Sequence, residues 1–223
     1  MINVNHINKP KIISFLQEKG GAGKTTMATN VSRGLCLRGY RVLLVDSDPQ
    51  GSTRDWNEAN MGSLVPVVGL DRETLHIDIK ALMSDYDFVV IDGAPQLSKM
   101  SASAIKCSDI ILIPVQPSPY DIWASLDLVE LIKSRQEVTN GNPEAAFIIS
   151  RVIKNTKLSK EVNDTLAEYG IPVFDAFTSQ LVAYPTSASE GKSVYENPIW
   201  ASAMAEIESI IDEILRRYID VKS

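Results

Sequence analysis

The chain has 223 residues, with 44% apolar and 22% charged, and 22 Lys plus Arg stand against 28 Asp plus Glu for a net charge of −6. This is the balance of a folded domain, which excludes a disordered chain and is long enough to bury one sizeable core. The acidic total excludes a surface uniformly attractive to nucleic acid or anionic lipid, so a polyanion must be met by a local basic patch.

In chain order, residues 1–10 lack the basic start and apolar run of a secretory leader and read as a short extension. Short runs rich in Ile and Val predict strands at 11–16, 41–45, 66–69, 88–91, 110–114, 145–149 and 171–174. Most are apolar at consecutive positions, the pattern of strands covered on both faces. Helical periods fill 24–38, 74–84, 99–107, 120–137, 158–169 and 199–218. The alternation predicts an α/β, three-layer fold: a mostly parallel twisted sheet flanked by helices on both faces, one domain over 1–223. In the last helix, Ile199, Trp200, Ala203, Met204, Ile207, Ile210, Ile211, Ile214, Leu215 and Tyr218 form one apolar stripe, expected to pack onto the sheet. Its other face is largely acidic, which argues against a membrane surface. No run reaches the roughly 18 apolar residues of a bilayer span, and the protein reads as cytoplasmic. Cys36 and Cys107 form no disulfide or metal-cluster pattern and are expected as buried small apolar residues.

The chemistry begins after the first strand, at Gln17-Glu18-Lys19-Gly20-Gly21-Ala22-Gly23-Lys24-Thr25-Thr26. Strand, glycine turn, Lys-Thr and helix are what a nucleotide triphosphate needs. Glycines let backbone N–H groups curl around phosphates, and the helix N-terminus adds positive potential. Lys24 can reach the β- and γ-phosphates, and the Thr25 hydroxyl can ligate Mg²⁺. The second and fourth strands run into Asp46-Ser-Asp48-Pro-Gln-Gly51 and Asp92-Gly-Ala-Pro95, and carboxylates at such strand ends lie along the ligand-binding edge of this fold class. The plainer reading of Asp46 or Asp48 alone is a turn or helix-cap residue, and it weighs less than the functional one.

The string Lys-Gly-Gly-Ala-Gly-Lys-Thr-Thr resembles the deviant phosphate loop of the ParA/MinD family of P-loop ATPases, closest to the short, ParF-like plasmid-partition members. The likeness runs from Lys11 to about Tyr218. It implies that Lys19 crosses to the other subunit of an ATP sandwich dimer and contacts its phosphates, acting as a finger on the transferring group. It also implies that Asp46 and Asp48 form the first switch, with Asp48 the better candidate to orient the attacking water. Asp92 would match the Walker B carboxylate, so that Thr25, Asp48 and Asp92 surround Mg²⁺. After Asp92 the family often has D-x-P-P where this chain has Asp92-Gly-Ala-Pro95, and Gly93 is expected to loosen the segment. Pro117 and Asp121 fall in a proline-rich string that lines the family's dimer interface. Gly191-Lys-Ser-Val-Tyr-Glu196 resembles the string closing its last loop. An arginine usual about ten residues earlier is missing, leaving Tyr184 or Pro185 to stack on the adenine.

The resemblance further implies an ATPase that forms a homodimer with ATP, binds DNA without sequence preference, and releases it when a small centromere-binding, ParB-like protein stimulates hydrolysis. Such a cycle segregates plasmids or chromosomes and makes the protein nucleoid-associated when ATP-bound. Arg151, Lys154, Lys157 and Lys160 form a basic segment without an acid, and Arg216 and Arg217 could extend it. A protein or transfer-DNA cargo remains open, as does a dethiobiotin-synthetase-like ligase, against which Lys19 speaks.

Overall fold

The computed structural model describes residues 9–95, 99–153 and 158–219, with the side chains of 158–161 and 163 left aside. Six parallel strands form one sheet: β1 (Lys11–Phe15), β2 (Val42–Asp46), β3 (Val67–Gly69), β4 (Phe88–Asp92), β5 (Ile110–Val115) and β6 (Glu144–Ile149), in spatial order β3-β2-β4-β1-β5-β6. Between them run α1 (Lys24–Leu37), α2 (Ser52–Ala59), α3 (Leu75–Leu82), α4 (Lys99–Cys107), α5 (Pro119–Trp123) and α6 (Leu126–Val138). After β6 follow α7 (Leu158–Ala167), α8 (Ala183–Ser189) and α9 (Ala201–Tyr218).

Alternate residues of each strand feed opposite faces, and each face has its own core. Ile12, Val45, Val89, Ile91, Ile111 and Ile113 meet α3, α4, α6 and α7 through residues such as Ile79, Ile105, Ile132 and Leu166. Ile13, Phe15, Leu44, Phe88, Val90 and Leu112 meet α1 and α9 through Met27, Val31, Leu35, Ile207, Ile210, Ile211 and Ile214. Each such side chain contributes roughly 1.5–3 kcal/mol by leaving water, so α1, which packs on β1, β2 and β4 and on α9, is firmly secured. This fixes the helix that starts at the phosphate loop.

Several expectations change. The run 171–174 joins the sheet only through an isolated bridge from Val173 to Phe147; Pro172 has no N–H to extend a ladder. The helix expected at 120–137 is two, because Ser125 turns its hydroxyl onto the Ile122 carbonyl at the break. The last helix starts at Ala201, after a 3₁₀ turn at Pro198–Trp200, and this leaves Ile199 off the stripe and 86% exposed. Cys36 and Cys107 are unpaired but only partly buried. Gly93 is buried and close-packed: a Cβ there would stand 2.7 Å from the Phe15 carbonyl oxygen and collide with Leu16. Its missing side chain lets β4 end against β1, a reason of space.

Candidate functional site

The sheet order sets β1 between β4 and β5, and the register pairs Phe15 with Asp92 and Asp92 with Asp46. The loop after β1 and the two carboxylates therefore meet at one edge. Within the loop, carbonyls are drawn outward. Gln116 Nε2 donates to Gly21 O at 3.1 Å, and Ser150 Oγ to Ala22 O at 2.7 Å. Gly21 and Gly23 take positive φ, 76° and 103°, and Gly23 precedes α1 with no side chain capping the first turn. A Cβ on Gly20 or Gly21 would meet nothing within 4 Å. Free N–H groups around open space at a helix N-terminus make an anion cradle.

Lys24 is buried, its ammonium 3.4 Å from the Lys19 carbonyl oxygen. Burial pushes it below its ordinary value, while Asp92 and Asp48 act in the opposite sense. A buried cation with no carboxylate in direct contact among the described residues suits an anion arriving from outside. Thr25 Oγ1 donates to Asp92 Oδ2 at 2.7 Å, and Thr53 Oγ1 from α2 donates to the same oxygen at 2.8 Å. The other carboxylate oxygen of Asp92 is buried with no hydrogen-bond partner among the described residues. Burial pushes this carboxyl up to about 7. An orphaned buried oxygen beside a threonine hydroxyl is a fitting place for a hydrated divalent cation, which would restore the charge that burial disfavours.

Asp46 and Asp48 separate clearly. Asp46 is fully buried, and both its oxygens are taken, Oδ1 by Asp48 N at 3.0 Å and Oδ2 by Arg54 N at 2.9 Å. Burial raises its pKa against those bonds. It is an organiser of the turn. Asp48 is partly exposed, turns one oxygen onto Gln50 N at 2.9 Å, and lies near enough to Lys24 to favour its charge.

Lys19 points away from its own cradle. Its ammonium lies 2.6 Å from Asp121 Oδ2 at the start of α5, with Lys19 40% exposed and Asp121 almost fully buried. Beside it Tyr120 and Trp123 form an exposed edge-to-face pair 5.5 Å apart. Pro117 is partly exposed on the same stretch. Near Gly23 and Thr26, a cavity of about 320 Å³ is lined by Ser150, Arg151, Gln180, Tyr184 and Pro185. Tyr184 is held by Glu206, its hydroxyl donating to Oε2 at 2.9 Å. The Gly191–Glu196 string fastens to α1: Val194 N donates to Asn30 Oδ1, and Glu196 pairs with Arg33 at 2.8 Å.

Of the six residues expected at DNA, Arg151, Arg216 and Arg217 have described side chains. Lys154 and Lys157 lie outside the described residues, as does the side chain of Lys160. Arg151 is exposed at the rim of the cavity. Arg216 lies along a groove with Asp175, Glu206, Asp212 and Glu213. Arg217 is committed to the fold, 2.5 Å from Glu213 and 5.0 Å from the centre of the Phe174 ring. Sequence reasoning missed Thr53, Arg54, Gln116 and Ser150; Gln116 and Ser150 act through contacts between distant segments, whereas Thr53 and Arg54 stand just after the Asp46–Gly51 turn.

Parallel sheet, glycine cradle, buried lysine and hydroxyl–carboxylate pair define a P-loop ATPase. The chain matches the CobQ/CobB/MinD/ParA nucleotide binding domain over residues 13–194 and belongs to that family. It is 36% identical over 217 residues to the maintenance of carboxysome distribution protein A of Halothiobacillus neapolitanus, covering 93% of this chain and 98% of that protein. It is 26% identical to the chromosome-partitioning ATPase Soj of Thermus thermophilus, covering 94% and 97%. Its fold is similar to that of a McdA–ATP complex from Cyanothece, with a TM-score of 0.76, 17% identity and 94% and 96% coverage. The septum site-determining protein MinD of Pyrococcus horikoshii, complexed with Mg-ADP, gives 0.72 and 19%, with 95% and 99% coverage. The family is one of nucleotide-binding domains, and the glycine cradle with Lys24, Thr25 and Asp92 fits ATP with Mg²⁺.

Proposed function

We propose that the protein is a nucleotide-gated dimerisation switch that positions a cargo by cycling on and off non-specific DNA. The observation that carries this is the direction of Lys19. Lys24 occupies the chain's own cradle, whereas Lys19 is turned to an exposed edge beside Tyr120 and Trp123, available to the phosphates of a second copy. In this reading Gly20 to Thr26 hold the triphosphate. Thr25 Oγ1 and Asp92 hold Mg²⁺, which when bound neutralises charge on the phosphates. Asp48 orients the attacking water, and Lys19 from the partner stabilises charge developing on the transferred group. Tyr184 and Pro185 wall the base side of the cavity. Hydrolysis dissolves the dimer, prompted by a small ParB-like partner.

The cargo in this reading is plasmid or chromosomal DNA. A protein-complex cargo is the second reading, favoured by the 36% identity to a carboxysome-distribution protein. The acidic monomer suits a reversible attachment: doubling a small basic segment in the dimer raises the number of phosphates met. The test is retention of non-specific duplex DNA without nucleotide, with ADP and with ATP, at two salt concentrations. Retention with ATP alone that weakens with salt, and weakens further in Lys154→Glu/Lys157→Glu, is expected. Equal retention in all three nucleotide states contradicts the proposal.

A further inference from the structure

Arg54, in the first turn of α2, holds the Asp46–Gly51 turn from behind. Its backbone N and Nε reach Asp46 Oδ2 at 2.9 and 3.3 Å, and Nη2 donates to Asp48 O at 2.9 Å and to Asp71 Oδ2 at 3.2 Å. One guanidinium thus ties Asp46 and Asp48 to the segment that follows β3. A planar fork with five donors can do this, and a single ammonium cannot span the same acceptors.

The slot is cut for this side chain. Gly69 ends β3 opposite Asp46 in the register. Its φ does not demand glycine, and glycine weakens a strand. The three nearest atoms a Cβ there would meet all belong to Arg54, with Cδ at 3.0 Å. At Gly51 a Cβ would stand 3.2 Å from Nε and Nη2 of the same residue. Two glycines from different segments leave room for one arginine, which fixes the main chain of Asp48 while the carboxylate of Asp48 stays on the Lys24 side.

We infer that Arg54 is a positioning residue for hydrolysis, holding the Asp46–Gly51 turn so that Asp48 is set against the phosphate end of the nucleotide. The inference rests on the reading of Asp48 as the water-orienting carboxylate. A displacement of about 1 Å in such a group can cost on the order of 100-fold in rate while leaving nucleotide contacts intact.

The experiment measures turnover at saturating ATP, KM, affinity for a fluorescent ATP analogue and Tm, in the full chain with Mg²⁺. Arg54→Met is expected to lower kcat by roughly 10- to 100-fold with KM and analogue affinity within about threefold. Arg54→Lys, which keeps the charge, should recover little of it; full recovery would mean charge balance rather than geometry and would overturn the inference. Gly69→Ala, which keeps the guanidinium and displaces it, should lower kcat as well. The double variant Gly69→Ala/Arg54→Met should be no slower than Arg54→Met alone, and additive losses would overturn the inference. Asp48→Asn is measured alongside. Wild-type turnover in Asp48→Asn would remove the reading of Asp48 and this inference with it. Lost turnover in Asp48→Asn with wild-type kcat in Arg54→Met would remove the inference alone.

Discussion

Lys19 Nζ lies 2.6 Å from Asp121 Oδ2, joining the phosphate loop to the start of α5 across 102 positions of sequence. The second Asp121 oxygen is buried without a hydrogen-bond partner among the described residues. The lysine therefore satisfies a carboxylate that can find little else, and it must leave that partner to reach the phosphates of another subunit. Removing Lys19 strands the carboxylate; removing both groups does not. Lys19→Ala is expected to lower stability by roughly 1–2 kcal/mol, held down by the exposure of the lysine. Lys19→Ala/Asp121→Asn should recover most of that in urea unfolding. Asp121→Asn alone should shift ATP-dependent dimerisation to lower protein concentration in sedimentation, because the competing contact is gone.

The pH dependence follows from Asp92. Its carboxyl is pushed from an ordinary value of 3.8 up to about 7 by burial. The folded state thus holds the proton more tightly than the unfolded chain. The associated stability is full below about pH 4 and is lost as pH rises through about 7. Nucleotide-free protein should lose several degrees of Tm between pH 5 and pH 8 from this group, and Asp92→Asn should flatten that slope. The stabilisation conferred by Mg·ADP should grow over the same interval, since a cation prefers the ionised carboxylate.

Gly93→Ala tests the close approach of β4 to β1. The added methyl meets a backbone oxygen that cannot swing aside, so a loss of roughly 1–3 kcal/mol is expected from overpacking. The same strain reaches Leu16, just ahead of the phosphate loop, so ATP affinity should fall along with stability. A variant as stable as wild type would show that this end of the sheet is loosely packed.

What could be read from the sequence was whatever is written locally. Consecutive Ile and Val marked all six strands, and the glycine string with Lys24 and Thr25 marked the cradle, because each works through its immediate neighbours. Asp46 and Asp92 were visible as carboxylates at strand ends, but the division of labour between Asp46 and Asp48 depends on which oxygens backbone N–H groups take up. Helix α2 is short and polar around Trp56, and α8 has little apolar period, so neither stood out. Residues 171–174 have strand-like composition but little sheet to join. Gln116 and Ser150 reach the site only through the fold, whereas Arg54 meets Asp46 and Asp48 from the adjoining helix but shows no period or motif that marks it. Arg217 looked like a free cation because Phe174 becomes its neighbour only when α9 packs, although Glu213 stands one turn before it on the same helix.

Assembly of an ATP-bound dimer through Lys19 is open to sedimentation velocity of the wild type and Lys19→Ala with ADP and with ATP. Wild-type protein is expected as monomers with ADP and dimers with ATP, while Lys19→Ala binds ATP and stays monomeric. A Lys19→Ala protein that dimerises on ATP and hydrolyses it at the wild-type rate would contradict it.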